Sequence, residues 1–187
     1  MTRPPDILNR DTVFSGRKIA LEIHRVRDAD GRETTREVVR HRGSVAILAE
    51  PAPGMILLEN VWRYAVEGSL LELPAGTLEE GEDPAACAIR ELAEETGYRA
   101  AGVEPLLTVY TSPGFLDERI TIYLATGLEP GEPAREAGEE IETVLVPVDE
   151  ALAMIADGRI RDGKTVCGIL YWQAYRHSVG AAGEDGA

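Results

Sequence analysis

The chain has 187 residues, 44% of them hydrophobic and 28% charged, the balance of a globular domain with room for one core and a small appendage. Lysine plus arginine number 19 against 33 for aspartate plus glutamate, a formal net charge of -14 that argues against a surface tracking nucleic-acid phosphates; a phosphate ligand would need metal ions to bridge two negative partners. No apolar run approaches the roughly 20 residues of a membrane span, the start MTRPPDILNR lacks the apolar segment of a secretory signal, and Cys87 and Cys167 form no metal or redox spacing, so a reducing cytoplasm is expected.

The first ten or so residues read as an extended arm. From Thr12 onward β-type residues appear, with RKIALEIHRV alternating at Ile19, Leu21 and Ile23, the turn DADG, and then TREVVRH, which together predict a small antiparallel sheet. GSVAILAE and MILLENVWRY are apolar strands around PAPG and read as a buried hairpin, and SLLELP adds a short strand. Asp83 as N-cap, Pro84 as first helical residue and Gly97 as left-handed stop predict a helix over Pro84 to Thr96, whose apolar contacts are Ala85, Ala88, Ile89, Leu92 and Ala93. VEPLLTVYTS and RITIYLATGL follow as strands around PGFLDE. EPGEPAREAGEE has no apolar periodicity and reads as a mobile loop before the strand IETVLVPV. ALAMIADG and KTVCGILYWQAYRHSV read as the last helices, with Asp149 or Asp162 as caps, and GAAGEDGA as a disordered tail. Strands and helices interleave without a steady βαβ rhythm, so the expected fold class is α/β, a mixed sheet with helices on both faces beside the small N-terminal antiparallel sheet. The expected organisation is an arm and sheet over 1–41, a main domain over 42–178 and a tail over 179–187.

The stretch GTLEEGEDPAACAIRELAEETGY concentrates the chemistry. Glu91 and Glu95 lie four apart on one helical row with Glu94 beside them. Like charges at that spacing cost a helix a few tenths of a kcal/mol, and near its C-terminus they also oppose the dipole. Two readings follow: a solvated acidic face in which Arg90 pairs with Glu94, or carboxylates gathered for a cation. A hard ion such as Mg²⁺ takes oxygen ligands of this kind.

Gly76, Glu82, Arg90, Glu91, Glu94, Glu95 and Gly97, with Leu92 at an aliphatic position, match in spacing the signature box of the Nudix hydrolase superfamily, and the chain resembles that superfamily. At residue frequencies near ~7% each, seven fixed matches arise by chance on the order of once in 10⁸ windows. Tyr98 stands where the family prefers an aliphatic residue. The resemblance implies a Nudix-type α/β/α sandwich and Mg²⁺-dependent hydrolysis of a nucleoside diphosphate compound, with Mn²⁺ as a substitute ion. It implies Glu91, Glu94, Glu95 and the Ala75 carbonyl as metal ligands, Arg90 orienting the carboxylates, and Gly76, Glu82 and Gly97 shaping the loop-helix-loop.

Pro113 in YTSPGFLDE, 16 residues after Gly97, and the segment ENVWRYAVEGSLLELPAG resemble the ADP-ribose pyrophosphatase group, with Val61 where that group usually has glutamine. Alone, SPGF is an ordinary turn. The resemblance implies that Pro113 and Phe115 shape the site, that Glu118 faces the terminal ribose and that Arg63 contacts phosphate. It further implies a domain-swapped homodimer whose N-terminal sheet grips the nucleobase, with Phe14, His41 and Arg42 as candidates. The base that takes the proton from the attacking water is expected on the acidic loop, Glu139 first, then Glu140 and Glu136, with Glu139 also a candidate ligand. Rival expectations are a hydrolase of GDP-mannose or another sugar nucleotide, and a sensor that binds without turnover.

Overall fold

The computed structural model describes residues 4–135 and 140–180, with 176–180 described by backbone alone. It divides into two compact units, one built from residues up to 43 together with 110–119, the other from 44–109 and the chain from 120 onward.

The first unit is an antiparallel meander of β1 (Asp6–Ser15), β2 (Ile19–Arg27) and β3 (Glu33–His41). The turn DADG closes through Gly31 N–H donating to the Asp28 carbonyl at 2.9 Å. The expected arm is in fact the first half of β1, which pairs with β2 from Asp6↔Arg27 to Ser15↔Ala20. Register shifts between Ile7 and Asn9 and between Thr12 and Phe14 break the two-residue alternation that would betray a strand in sequence. Residues 110–119 fasten to β3. Val39 N–H donates to the Phe115 carbonyl at 2.7 Å and Asp117 N–H to the Val39 carbonyl at 3.1 Å, while Phe115 N–H returns to Ser112 O at 3.2 Å around Pro113 and Gly114. Charge reinforces the join: Arg40 bonds Glu22 through Nε and Asp117 through Nη1, both at 2.9 Å.

In the second unit, β4 (Ser44–Ala49) pairs antiparallel with β7 (Ala75–Thr77) and parallel with β9 (Arg119–Thr126), which β8 (Gly102–Tyr110) flanks. A second sheet places β5 (Met55–Arg63) between β6 (Gly68–Glu72) and β10 (Ile141–Pro147). The expected β4–β5 hairpin is therefore not formed. PAPG carries the chain from one sheet to the other, and two runs buried on both faces hold no alternation from which pairing can be deduced.

The same double burial explains the layering. Val45, Ile47 and Ala49 of β4 join Leu57 and Tyr123 in one core cluster with Cys87, Ala88 and Leu92 of α1 (Pro84–Thr96). Ala46 and Leu48 face the other way, toward Val148, Ala151 and Met154 of α2 (Val148–Ala156) and Ile169 and Trp172 of α3 (Gly163–Gly180). Each such leucine or isoleucine contributes about 1.5–3 kcal/mol by leaving water. Helices therefore cover both sides of the strands, the expected α/β/α arrangement. Asp162 accepts from Thr165 N–H at 3.0 Å and so caps α3. Asp149 caps nothing; it lies in the first turn of α2, whose N-cap is Pro147.

Candidate active site

The two ends of α1 are encoded locally. Asp83 Oδ1 accepts from Ala85 and Ala86 N–H, both at 3.0 Å, and Pro84 begins the helix where no N–H is needed. Gly97 ends it at φ 81°, with its N–H on the Ala93 carbonyl. A Cβ at Gly97 would fall 2.4 Å from the Gly131 carbonyl oxygen, so chain from the following loop lies directly against the cap. That loop satisfies the last turn's carbonyls: Ala134 N–H donates to Glu94 O and Arg135 Nε to Glu95 O, each at 2.8 Å. The segment expected to be mobile is thus docked over residues 131–135, held by backbone partners that leave no trace in composition.

The buried face of α1 is turned from the expected one. Cys87, Ala88, Leu92 and Thr96 are buried, whereas Ile89 is 37% exposed. The rotation brings the row Cys87, Glu91, Glu95 inward and leaves Glu94 nearer solvent.

Arg90 gathers the acidic groups. Its Nε and Nη2 form a fork on Glu82 at 2.9 and 3.1 Å, and its Nη1 donates to Glu91 at 2.9 Å and Glu94 at 3.0 Å. This guanidinium holds the Glu82 carboxyl down at about 2. Burial, with Glu82 beside it, pushes the Cys87 thiol up to about 12, which removes it as a nucleophile.

Two contacts seat the other carboxylates against β7. Ala75 N–H donates to Glu95 Oε2 at 3.1 Å. Gly76 clears the space that Glu91 fills, since a Cβ there would lie 1.9 Å from Glu91 Cδ. Among the described residues no three acidic, histidine or cysteine groups converge as a finished metal site; Arg90 holds Glu91 and Glu94, and Ala75 N–H holds Glu95. The donor chemistry nevertheless fits a hard divalent cation: the side chains are oxygen donors, and a buried carboxylate oxygen, Glu59 Oε1, has no hydrogen-bond partner beside them.

Glu59 and Glu72 were not anticipated as site residues. They face each other across β5 and β6, each 2% exposed. Glu72 takes a fork from Arg63, Nε at 2.7 Å and Nη2 at 2.8 Å, and an ion pair from Lys164, which also reaches Asp162 at 3.1 Å. Burial alone would raise the Glu72 carboxyl, but these two cations hold it below the usual range. Glu59 lacks such a fork. Burial pushes it up to about 7 against the pull of Arg135 and Arg63, with Glu95 among the groups that lower it. The one sequence signal was charge inside the apolar run ILLENVW.

Arg63 thus stands on β5 with its fork committed to Glu72 and its side chain still 44% exposed. Glu140 is exposed and lines a hollow of about 380 Å³ with Asn60, Trp62 and Ser69. Glu136 and Glu139 lie outside the described residues. In the other unit, His41 and Arg42 line a hollow of about 260 Å³ with Tyr110, Asp117 and Arg119. His41 Nδ1 accepts from Gly43 N–H at 3.1 Å and is 3.5 Å from Glu118, whose other oxygen accepts from the Thr111 hydroxyl at 2.9 Å. Pro113 forms the turn that presents Phe115, which is 54% exposed, as is Phe14 on β1.

Comparison with known proteins bears on the family and the fold. The family model described as NUDIX domain matches residues 39–167. The chain is 41% identical over 168 residues to a methanol dehydrogenase activator of Bacillus methanolicus, covering 89% of this chain and 91% of that one. It is 39% identical over 166 residues to an ADP-ribose pyrophosphatase of Bacillus subtilis (strain 168), covering 88% and 90%. A crystal structure of an ADP compounds hydrolase superposes with a TM-score of 0.85 at 21% identity, covering 96% of this chain and 98% of that one, a likeness of fold.

Proposed function

The chain belongs to the Nudix family of hydrolases, and from that premise we propose that it cuts the pyrophosphate link of ADP-ribose, giving AMP and ribose 5-phosphate, with Mg²⁺ as its working ion. The observation that carries the reading is the unit formed by Arg90 with Glu82, Glu91 and Glu94 beside Glu95 and Gly76. The relative named ADP-ribose pyrophosphatase, matched over most of both chains, supports the substrate.

Glu91, Glu94, Glu95 and the Ala75 carbonyl are the groups that would hold the metal. When bound, a divalent cation neutralises phosphate oxygens and makes the attacking water more acidic. The chain's own part is to preset the ligands. Arg90 fixes Glu91 and Glu94, Ala75 N–H fixes one oxygen of Glu95, and the docked 131–135 segment holds the end of α1 still. The proton of the attacking water goes to an acidic-loop glutamate, with Glu139 first and Glu140 and Glu136 after it. Arg63 contacts substrate phosphate from its exposed side. His41, Arg42, Pro113, Phe115 and Glu118 bind the nucleoside and ribose ends.

A homodimer assembled through the N-terminal sheet belongs to the same reading. Its support is β1, almost wholly exposed, with Ile7, Val13 and Phe14 open to solvent on a sheet edge. A cytoplasmic setting fits two unpaired cysteines, one buried and one exposed.

The test is turnover of a panel of nucleoside diphosphate compounds with Mg²⁺, with products separated by chromatography. ADP-ribose is expected to yield AMP and ribose 5-phosphate at the highest kcat/KM. Preference for GDP-mannose would replace the substrate and leave the reaction standing. Tight binding of ADP-ribose without any turnover would sink the enzyme reading in favour of a sensor.

A further inference from the structure

Glu72 ends β6 as a buried carboxylate, and stability gives a poor account of it. A buried ion pair loses its hydration and is often matched in stability by apolar side chains of similar volume. What distinguishes Glu72 is the group it holds. Arg63 donates Nε to one of its oxygens at 2.7 Å and Nη2 to the other at 2.8 Å, so the whole carboxylate faces one edge of a single guanidinium.

The strand register shows what this fork does to Arg63. In the β5–β6 ladder Arg63 stands opposite Gly68, at the far end from Glu59, which stands opposite Glu72. Alternation puts residues 59, 61 and 63 on one face of β5, so Arg63 folds back along that face, past the Val61–Leu70 pair, to reach Glu72. A partly exposed arginine at a strand end otherwise samples many rotamers in water. The fork selects one of them and leaves Nη1 outside it, a donor on the guanidinium's other edge. The backbone beneath Glu72 is fixed separately: Leu73 N–H donates to the buried Thr165 hydroxyl at 2.8 Å, and that hydroxyl donates to Asp162 at 2.6 Å. Lys164 is a second cation on Glu72, shared with Asp162 at 3.1 Å.

We propose that Glu72 is a positioning residue for substrate binding: it holds Arg63 in one orientation, so that a phosphate of a nucleoside diphosphate meets a guanidinium already ordered. This rests on the reading of Arg63 as a phosphate contact. Charge and position predict opposite signs here. If charge were the whole of its part, neutralising Glu72 would tighten an anionic ligand and removing Lys164 would weaken it. Positioning reverses that order.

The test is calorimetric titration of the full chain with ADP-ribose in EDTA, where the proposed metal-dependent hydrolysis does not run. The proteins are wild type, Glu72→Gln, Lys164→Met, Arg63→Ala and the double variant Glu72→Gln with Arg63→Ala. Arg63→Ala and Glu72→Gln are each expected to raise Kd about tenfold or more, and Lys164→Met to stay within about threefold of wild type. The double variant is expected to lie within about twofold of Arg63→Ala, because no guanidinium is left to position, whereas general damage to the buried cluster would weaken both backgrounds alike. If Glu72→Gln does not fold, Arg63→Lys takes its place. It keeps the charge without the planar fork, and its loss is expected to match that of Arg63→Ala within about threefold. The proposal is overturned by Glu72→Gln binding as tightly as wild type or tighter, by an undiminished Glu72→Gln loss in the Arg63→Ala background, or by Arg63→Lys binding like wild type. A wild-type chain that does not bind ADP-ribose, or Arg63→Ala binding it unchanged, overturns the reading beneath the proposal and the proposal with it.

Discussion

The carboxyl carbon of Glu91 fills the space into which a side chain at Gly76 would project, 1.9 Å from where a Cβ would stand. The conflict is between two side chains, since residue 76 has no left-handed backbone to defend. Gly76→Ala is therefore expected to keep its fold, with stability changed by no more than about 1 kcal/mol. Glu91 must swing away, and Mn²⁺ affinity is expected to fall about tenfold or more. Calorimetric titration beside a thermal melt checks both; unchanged metal binding would mean that Glu91 is not a ligand.

Glu95→Gln separates chemistry from folding at the neighbouring proposed ligand. The amide oxygen still accepts the Ala75 N–H, so the melt is expected to stay within about 1 kcal/mol of wild type. Turnover is expected to fall about 100-fold or more, because a neutral amide is a poorer partner for a divalent cation. A mild loss of kcat would remove Glu95 from the metal site.

The Glu82–Arg90 fork sets a pH dependence. Glu82 is held at about 2 in the folded chain against the 4.5 of a free glutamate, so the unfolded chain binds its proton first as pH falls. The stabilisation is fully present above about 4.5 and is lost as pH falls toward about 2. Melting of the metal-free protein and of Glu82→Gln is expected to differ by a constant gap from pH 5 to 7, closing below pH 4. A gap that persists at the acid end would assign the effect to shape rather than charge.

Gly97 answers to two constraints at once. Alanine at φ 81° costs about 1–2 kcal/mol in backbone strain alone, and its Cβ would press on the Gly131 carbonyl at 2.4 Å. Gly97→Ala is expected to exceed that figure in chemical denaturation. Faster amide exchange at Ala134, whose N–H caps the Glu94 carbonyl, would show the docked segment lifting.

These residues also show what a sequence can reveal about its fold. Asp83, Pro84 and Gly97 act within one or two turns of where they stand, and both helix ends were legible from them. Helical spacing also makes neighbours of Glu91, Glu94 and Glu95, and the structure brings Glu91 and Glu94 together on Arg90. What escaped was long-range. Only the fold brings residues 131–135 onto Gly97 or Lys164 onto Glu72, positions separated by dozens of residues, and β4 and β5 carried no pattern to tell one sheet from two. Ile89 lies at the rim of the buried face, which keeps Ala88 and Leu92 but shifts toward Cys87 and Thr96, a difference that periodicity is too coarse to resolve.

Arg90 has a consequence for the concentration at which the enzyme works. With Nη1 on both Glu91 and Glu94, the helix already contains a counter-ion, with which a cation at the proposed site would have to compete. Charge-assisted hydrogen bonds contribute about 1.5–3 kcal/mol each, so displacing even one lowers the apparent affinity by roughly one to two orders of magnitude. In the proposed metal site the guanidinium would act as a threshold, favouring an abundant ion bound reversibly over permanent capture of a scarce one.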